Sequence, residues 1–590
     1  MKFKRLLPKS ISLVLVSMLL CVSCNNDDSI TTTQNQGPDP TTFSENFGND
    51  ISRNFLGTIV DTNNNPIENV MISIGSSTAM TDSNGVFIIN NATVNKRFGY
   101  IKAEKAGYIH ASRAVVPSSG TNKVRIMMLP ETSAGTTTSG TQETISLPNG
   151  SKVALEGDYI KPDGTNYDGS VNIIMHHLDP ADENMQDQMP GMLYAANAQN
   201  EERMLQTFGM LAVELRGDNG EDLNLAEGST AEITVPLDAS LVATAPSSIP
   251  LWYFDEANGY WIEDGEATLV GNAYVGTVSH FSFWNCDIPA EYADFCVTVS
   301  DSEGNLLANT QVSLTSENYG TSSGYTNENG QTCGLIPSGE TLEINIYNYN
   351  LCGQSPIYSD TIGPFVVDSS IGVTVADNPD IISETVTGIF NDCDGNPVTE
   401  GYVQLSYGNQ YFTDVVSDGD FEINLIRCDA NSTFTIQAFD YVNIQETDSL
   451  NYTFTTPLTN LGTIQSCNTI EEFITYQVDD FPVVAYNFNV QGGLDGNYLY
   501  ISYYSDLQDY WFNFNINGFN GPNTYTNGYL DFFDESYGTS LENLFIGTSN
   551  VTSFGDVGEY IDINFSGVIN DFNSDDELPI SGTIHVLRDF

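Results

Sequence analysis

The string Gly320-Thr321-Ser322-Ser323-Gly324 spells Gly-x-Ser-x-Gly, the pattern that presents a serine nucleophile on a strand-to-helix turn. That turn needs an α/β sheet and a histidine base. Here the string lies in a Ser/Asn/Gly loop between β-rich stretches, and the one histidine downstream, His585, falls in another module. Acyl transfer is therefore not expected from it. The five histidines, His110, His176, His177, His280 and His585, lack the i, i+4 helical spacing of a zinc protease. His176 and His177 are neighbours in a strand-like run and would point to opposite faces, so structural roles are expected. Carboxylate pairs for glycoside hydrolysis are defined by a separation that needs coordinates, and among 77 acidic residues chance pairing is common. No catalytic set and no metal site emerges from spacing.

Apart from Cys21 and Cys24, the cysteines are Cys286, Cys296, Cys333, Cys352, Cys393, Cys428 and Cys467, all in one stretch. None has the Cys-x-x-Cys spacing of zinc or redox sites. In an oxidising compartment such clustering points to disulfides that staple the middle of the chain. Spacing leaves the connectivity open, with Cys393–Cys428 the pair expected first.

The 590 residues suggest roughly four domains at about 150 residues each. Thirty tyrosines, 31 phenylalanines and 50 glycines, set among dense Asn, Asp, Ser and Thr, favour strands and turns. The expected fold class is all-β: tandem β-sandwich modules after a lipoprotein signal peptide and a flexible tether. Four of the 18 basic residues stand in the first 23, which leaves 14 against 77 acidic residues and a net charge of −63 thereafter. Lys161 is the last lysine. Nucleic acid is excluded as a partner by that balance. Solubility at a crowded surface is its ordinary consequence, and calcium is the one cofactor the acidity admits.

Lys2, Lys4, Arg5 and Lys9 precede an apolar run from Ile11 to Val22, the layout of a secretory signal, too short to span a membrane stably. It ends in Cys21-Val22-Ser23-Cys24, which resembles a lipobox. That resemblance implies cleavage before Cys24 and lipidation of its thiol, with the membrane as partner through the acyl chains. Asn25-Asn26-Asp27-Asp28 resembles the acidic export signal of Bacteroidota surface lipoproteins, which implies an outward-facing position on the outer membrane. Residues 24–52 read as a flexible tether, Thr/Gln/Asn/Pro/Ser-rich from 29 onward.

Residues 53–130 show alternating strands around the turns Asn63-Asn64-Asn65-Pro66 and Thr81-Asp82-Ser83-Asn84-Gly85. They resemble the carboxypeptidase regulatory-like family, a transthyretin- or immunoglobulin-like sandwich that carries no catalytic residues. The same grammar returns at 291–378, with Val297-Thr298-Val299-Ser300-Asp301 and Thr326-Asn327-Glu328-Asn329-Gly330. It returns again at 379–468, with Asp394-Gly395-Asn396-Pro397-Val398 and Asp418-Gly419-Asp420-Phe421. Lysine–asparagine isopeptide bonds, found in Gram-positive pilus sandwiches with similar hairpins, cannot form within modules after residue 290, which contain no lysine. Disulfides are the staples available there.

Between the first two copies, residues 142–290 form a different β module, entered through Thr132 to Gln142 as a linker. Its markers are Trp252-Tyr253-Phe254-Asp255, Gly259-Tyr260-Trp261 and His280-Phe281-Ser282-Phe283-Trp284. These resemble a ZU5-type region. The resemblance implies that His280-Phe281-Ser282 is an autoproteolytic site, Ser282 attacking the Phe281 carbonyl with His280 moving the proton. The same residues also fit an ordinary alternating strand. Residues 469–590 alternate Phe512, Phe514 and Ile516 with Asn513, Asn515 and Asn517, one face buried and one wet. Tyr503, Tyr504, Tyr510 and Trp511 suit either a platform for sugar rings or a sandwich core.

These observations add up to a non-catalytic surface lipoprotein, a sandwich array for adhesion or for binding and presenting extracellular glycan, peptide or protein. The alternatives are a secreted hydrolase or its accessory subunit, and a self-cleaving surface protein.

Overall fold

The computed structural model describes residues 40–347, 355–376, 382–408, 410–427, 432–443, 445–469, 472–478, 484–486, 490–504, 511–526, 528–533, 546–555, 557, 560–570 and 577–589. Cys24 and its leader lie outside the described residues, as do Cys352, Cys428 and Tyr510.

Alternation in the first repeat resolves into seven strands: β1 (Asp50–Val60), β2 (Met71–Ile74), β3 (Ser77–Met80), β4 (Val86–Asn95), β5 (Gly99–Glu104), β6 (Ala111–Val115) and β7 (Thr121–Met127). One sheet runs β4-β1-β7 and the other β3-β2-β5-β6. β1 pairs antiparallel with β4 and parallel with β7, so the chain begins in the middle of a sheet and ends at its edge. Phe55, Ile59, Ile72, Ile74, Phe87 and Ile101 point between the sheets and form the core. Each alternate residue therefore faces outward, which leaves Leu56 and Lys123 side by side on the outer face of β1 and β7.

The second copy repeats this order, with Tyr292–Ser300 at the centre of a three-stranded sheet and Gln311–Ser316 and Leu342–Tyr347 at the centre of a four-stranded one. The third repeats it around Ile382–Asn391 and Gly401–Tyr407. Two turns recur as well. Asp61, Asp301 and Asp392 each close a loop by accepting the backbone N–H and the side-chain amide of an asparagine four residues on, all at 2.8–3.0 Å. Gly85, Gly330 and Gly419 hold φ of 67°, 64° and 84°, and a Cβ there would run into a carbonyl of the module's own first strand. Only glycine fits.

The module between the first two copies is a branched 14-stranded sheet from Ser133–Thr138 to Phe283–Ala290, wrapped around Phe208, Leu211, Leu251, Tyr274 and Trp284. Thr132 to Gln142 is not a linker. Ser133–Thr138 is a strand paired with Ser170–Leu178, and Gly135 lets the Ile145 side chain cross it closely. Its Thr/Gly/Ser composition carries no apolar alternation because just one residue, Thr137, is buried. Residues 40–47, assigned by composition to the tether, are docked rather than free. Phe43 and Phe47, four apart on a helical turn, insert among Phe98, Tyr194 and Tyr260.

The C-terminal module packs a sheet containing Phe473–Val478, Tyr560–Asn570 and Glu577–Leu587 against a second of Val490–Asp495, Tyr498–Tyr504, Trp511–Asn517 and Gly528–Phe533. Phe512, Phe514 and Ile516 are fully buried at its centre. The chain is thus all-β, built of tandem sandwiches. The modules are not strung singly: the first copy touches the 14-stranded module and both later copies.

Candidate functional site

The tripeptide His280-Phe281-Ser282 is not a strand. Ala273–Val278 ends before it and Phe283–Ala290 starts after it, so it forms the bend between two strands. The Asn224 side chain clasps the Phe281 backbone, its Oδ1 accepting the N–H at 2.8 Å and its Nδ2 donating to the carbonyl at 3.3 Å. The Ser282 hydroxyl is buried and donates to the carbonyls of Phe283 and Phe254, at 3.1 and 3.3 Å. The His280 ring lies against Tyr253 and Trp284 with Nδ1 3.4 Å from Ser279 Oγ, and burial lowers its pKa against the pull of Asp264. The bend therefore gathers Ser282, the Phe281 carbonyl and an amide donor. It does not bring the imidazole onto the serine.

Gly320–Tyr325, which contains the Gly-x-Ser-x-Gly string, is an edge strand paired with Gln311–Ser316, not a loop and not an elbow. His176 Nε2 meets the Pro130 carbonyl and His177 Nε2 the Pro236 carbonyl, on different faces of one strand. His110 is half-buried beside Tyr100, Ser112 and Glu256, and desolvation holds it at about 3, so it is neutral at physiological pH. His585 pairs with Asp562 and stacks on Tyr560 and Phe473. Tyr503 stacks on Tyr486 inside the core, so it cannot serve an exposed sugar platform.

Cys296 bonds to Cys333 across adjacent strands, and Cys393 bonds to Cys467, not to Cys428. The reason is register. Asn391 is paired with Gln465 on parallel strands, which carries the two following segments on together to Cys393 and Cys467. Cys286, a disulfide candidate by clustering, is a free thiol buried in the 14-stranded module's core, where desolvation pushes its pKa well up. Among the described residues no group of three or more His, Cys, Asp or Glu is placed to hold a metal ion. Asp61, Asp301 and Asp392 each accept amide hydrogens within their own turns.

Spacing gave no hint of the polar junctions around the first copy. Its outer face places Leu56, Val86 and Ile88 against Tyr402, Phe439 and Val415 of the third copy. At the edge of this apolar patch Tyr402 donates to Asp82 Oδ2 at 2.5 Å and accepts from Asn84 at 3.2 Å, while Tyr441 donates to Asp82 at 3.2 Å. Burial raises the Asp82 pKa, opposed by these hydrogen bonds. On the other side, Thr121 N–H donates to Glu328 of the second copy at 2.7 Å and Asn327 Nδ2 to the Ser119 carbonyl at 2.7 Å. Arg97 bridges to Asp294 at 2.7 Å and to Glu202 at 3.5 Å. Lys123 meets Asn309 where all three sandwich copies converge, beside a cavity of about 20 Å³. A second cavity, about 60 Å³, lies between the sheets of the second copy. Neither holds a sugar ring, since small-molecule sites run to roughly 300 Å³ or more.

No family model and no curated protein matches this chain. Among solved structures it is similar to a Streptococcal ancillary pilin, at 12% identity over 38% of this chain and 95% of that one, with a TM-score of 0.14. It is also similar to the Bacillus anthracis TIE protein, at 10% identity over 68% of this chain and 67% of that one, TM-score 0.15. A third likeness is to the major pilin subunit of Bacillus cereus, at 10% identity over 71% of this chain and 100% of that one, TM-score 0.12. Scores this low carry no argument beyond the sandwich content seen directly in the strands.

Proposed function

We propose that this chain is a non-catalytic lipoprotein, held by lipid on Cys24 at the outer membrane and facing outward, whose sandwiches present a binding surface to an extracellular glycan, peptide or protein. One observation carries the reading: three copies of one sandwich, alike in strand order and in both turns, are fastened to one another at the first copy by polar side chains used for assembly. Repetition of this kind builds a display scaffold. A chain of residues 25–590 tested on a glycan array and against panels of polysaccharides and peptides separates the alternatives. Binding without turnover supports the scaffold; turnover supports a hydrolase or its accessory subunit. Anchoring has its own test. Metabolic labelling with a fatty-acid analogue should mark the wild-type chain and not Cys24→Ala, and label on the variant would contradict the anchor.

A second reading is self-cleavage between Phe281 and Ser282. The observation in its favour is the Asn224 amide, already donating to the carbonyl that would become the oxyanion. Fragments split at Phe281–Ser282 that vanish in Ser282→Ala support it, and an intact wild-type chain after prolonged incubation rejects it.

A further inference from the structure

Lys123 extends from the outer face of β7 to the place where the three sandwich copies meet. Its Nζ contacts Oδ1 of Asn309 from the second copy. The other described lysine ion pairs, Lys102–Glu104 and Lys161–Glu221, are surface contacts at 3.8 Å between amine and carboxylate. Lys123 instead meets a carboxamide. Asn309 is fixed from two sides, its backbone N–H donating to the Thr326 carbonyl at 2.9 Å and its Nδ2 to the Asn424 carbonyl of the third copy at 3.0 Å. Three acids border the same small cavity, Glu328, Asp414 and Glu422. Glu328 accepts from the Thr121 N–H at 2.7 Å, and Asp414 accepts from the Glu422 N–H at 2.9 Å.

We propose that Lys123 and Asn309 react to form an intramolecular amide that welds the first sandwich copy to the second, with Asp414 relaying the proton. The lone pair of the neutral amine attacks Asn309 Cγ. The Nζ–Cγ bond forms, the Cγ–Nδ2 bond breaks, and Nδ2 leaves as ammonia with the proton that Nζ gives up through the Asp414 carboxyl. The step consumes no oxidant and no cofactor. An amine beside an amide is inert in water because it is protonated and because the amide is a poor electrophile. This site addresses both obstacles. Burial lowers the Lys123 pKa, and burial raises Asp414 to about 6, so each shift favours moving the proton from amine to carboxyl. The carboxylic acid so formed can then protonate the departing nitrogen. The lysine-free modules after residue 290 would thus be cross-linked by a lysine lent from the first.

Asn309 also has a conformational role, since its φ is 56°, like that of Asn69 at the matching turn of the first copy. Asn309→Gly accommodates that φ and removes the acyl group, and Lys123→Arg keeps the cation and removes the nucleophile. Intact-mass spectrometry of the full chain, with peptide mapping by a protease that does not depend on lysine, tests the proposal. We expect the wild type to weigh one ammonia less than its sequence requires, to yield a branched peptide joining Lys123 to Asn309, and to recover the full mass in both variants. Asp414→Asn should leave a mixture weighted to the uncrosslinked form. A wild-type mass equal to that of the sequence overturns the proposal. So does a deficit that persists in Lys123→Arg, which would mark succinimide formation elsewhere.

Discussion

The C-terminal sandwich and the junction around the first copy are held together by opposite means. The former is an apolar interior in which Phe512, Phe514, Ile516, Ile563 and Ile584 are fully buried and Tyr476 stacks on Phe512 at 5.3 Å. The latter has a small apolar patch ringed by Asp82, Tyr402, Tyr441, Lys123, Asn309 and Glu328. Burial of apolar area is non-directional and tolerates many partners. Hydrogen bonds between partly buried polar groups exact a penalty when misaligned, so they fix which module meets which and in what register.

Truncation in the apolar region should break it hardest. Phe512→Ala removes a fully buried ring and is expected to destabilise the C-terminal module by about 3–5 kcal/mol. Chemical denaturation should show one transition moved and those of the other modules unchanged. Removing either described disulfide should cost about 2–4 kcal/mol. Cys393–Cys467 closes a span of 74 residues and Cys296–Cys333 one of 37, so the longer should matter more by about 0.6 kcal/mol for the doubling. Separate Cys→Ser pairs compared by denaturant midpoint give the order.

The same contrast explains what could be read from the residues. Asn513 and Phe514 declare their faces because a strand alternates with period two, and a buried face excludes asparagine. Turns at Gly85, Gly330 and Gly419 were legible because few residues accept positive φ. The pairing of Cys393 with Cys467 was not, because it follows from a parallel register across 74 positions. Nor could Tyr402 be matched to Asp82 over 320 positions, since a polar residue carries no periodic mark of its partner. Ser133–Thr138 escaped for a related reason, being an edge strand with one buried side chain. At the bend before Ser282 the tripeptide was legible, while the clasp by Asn224 depends on a residue 57 positions away.

Smaller effects probe the junction. Tyr402→Phe leaves the ring in place, removes the donor to Asp82, and should cost about 1–3 kcal/mol, read as a lower midpoint for the joined copies. Asp82→Asn acts mainly through pH. Burial raises the Asp82 pKa in the folded chain, so the folded state binds that proton more tightly than the unfolded one. Its stabilising contribution is whole below the unfolded value of 3.8 and is lost as pH rises through the higher folded value. Stability measured from acid to neutral pH should therefore fall less in Asp82→Asn than in the wild type.

That the first and third copies dock through Asp82 and Tyr402 is the centre of this account, and a double-mutant cycle tests it directly. Asp82→Asn, Tyr402→Phe and their combination are compared by denaturant unfolding of the full chain. Direct contact at 2.5 Å predicts a coupling energy above about 0.5 kcal/mol, since residues in one hydrogen-bonded network do not add. Additivity within about 0.3 kcal/mol, the behaviour of distant sites, would mean that the two copies do not meet there.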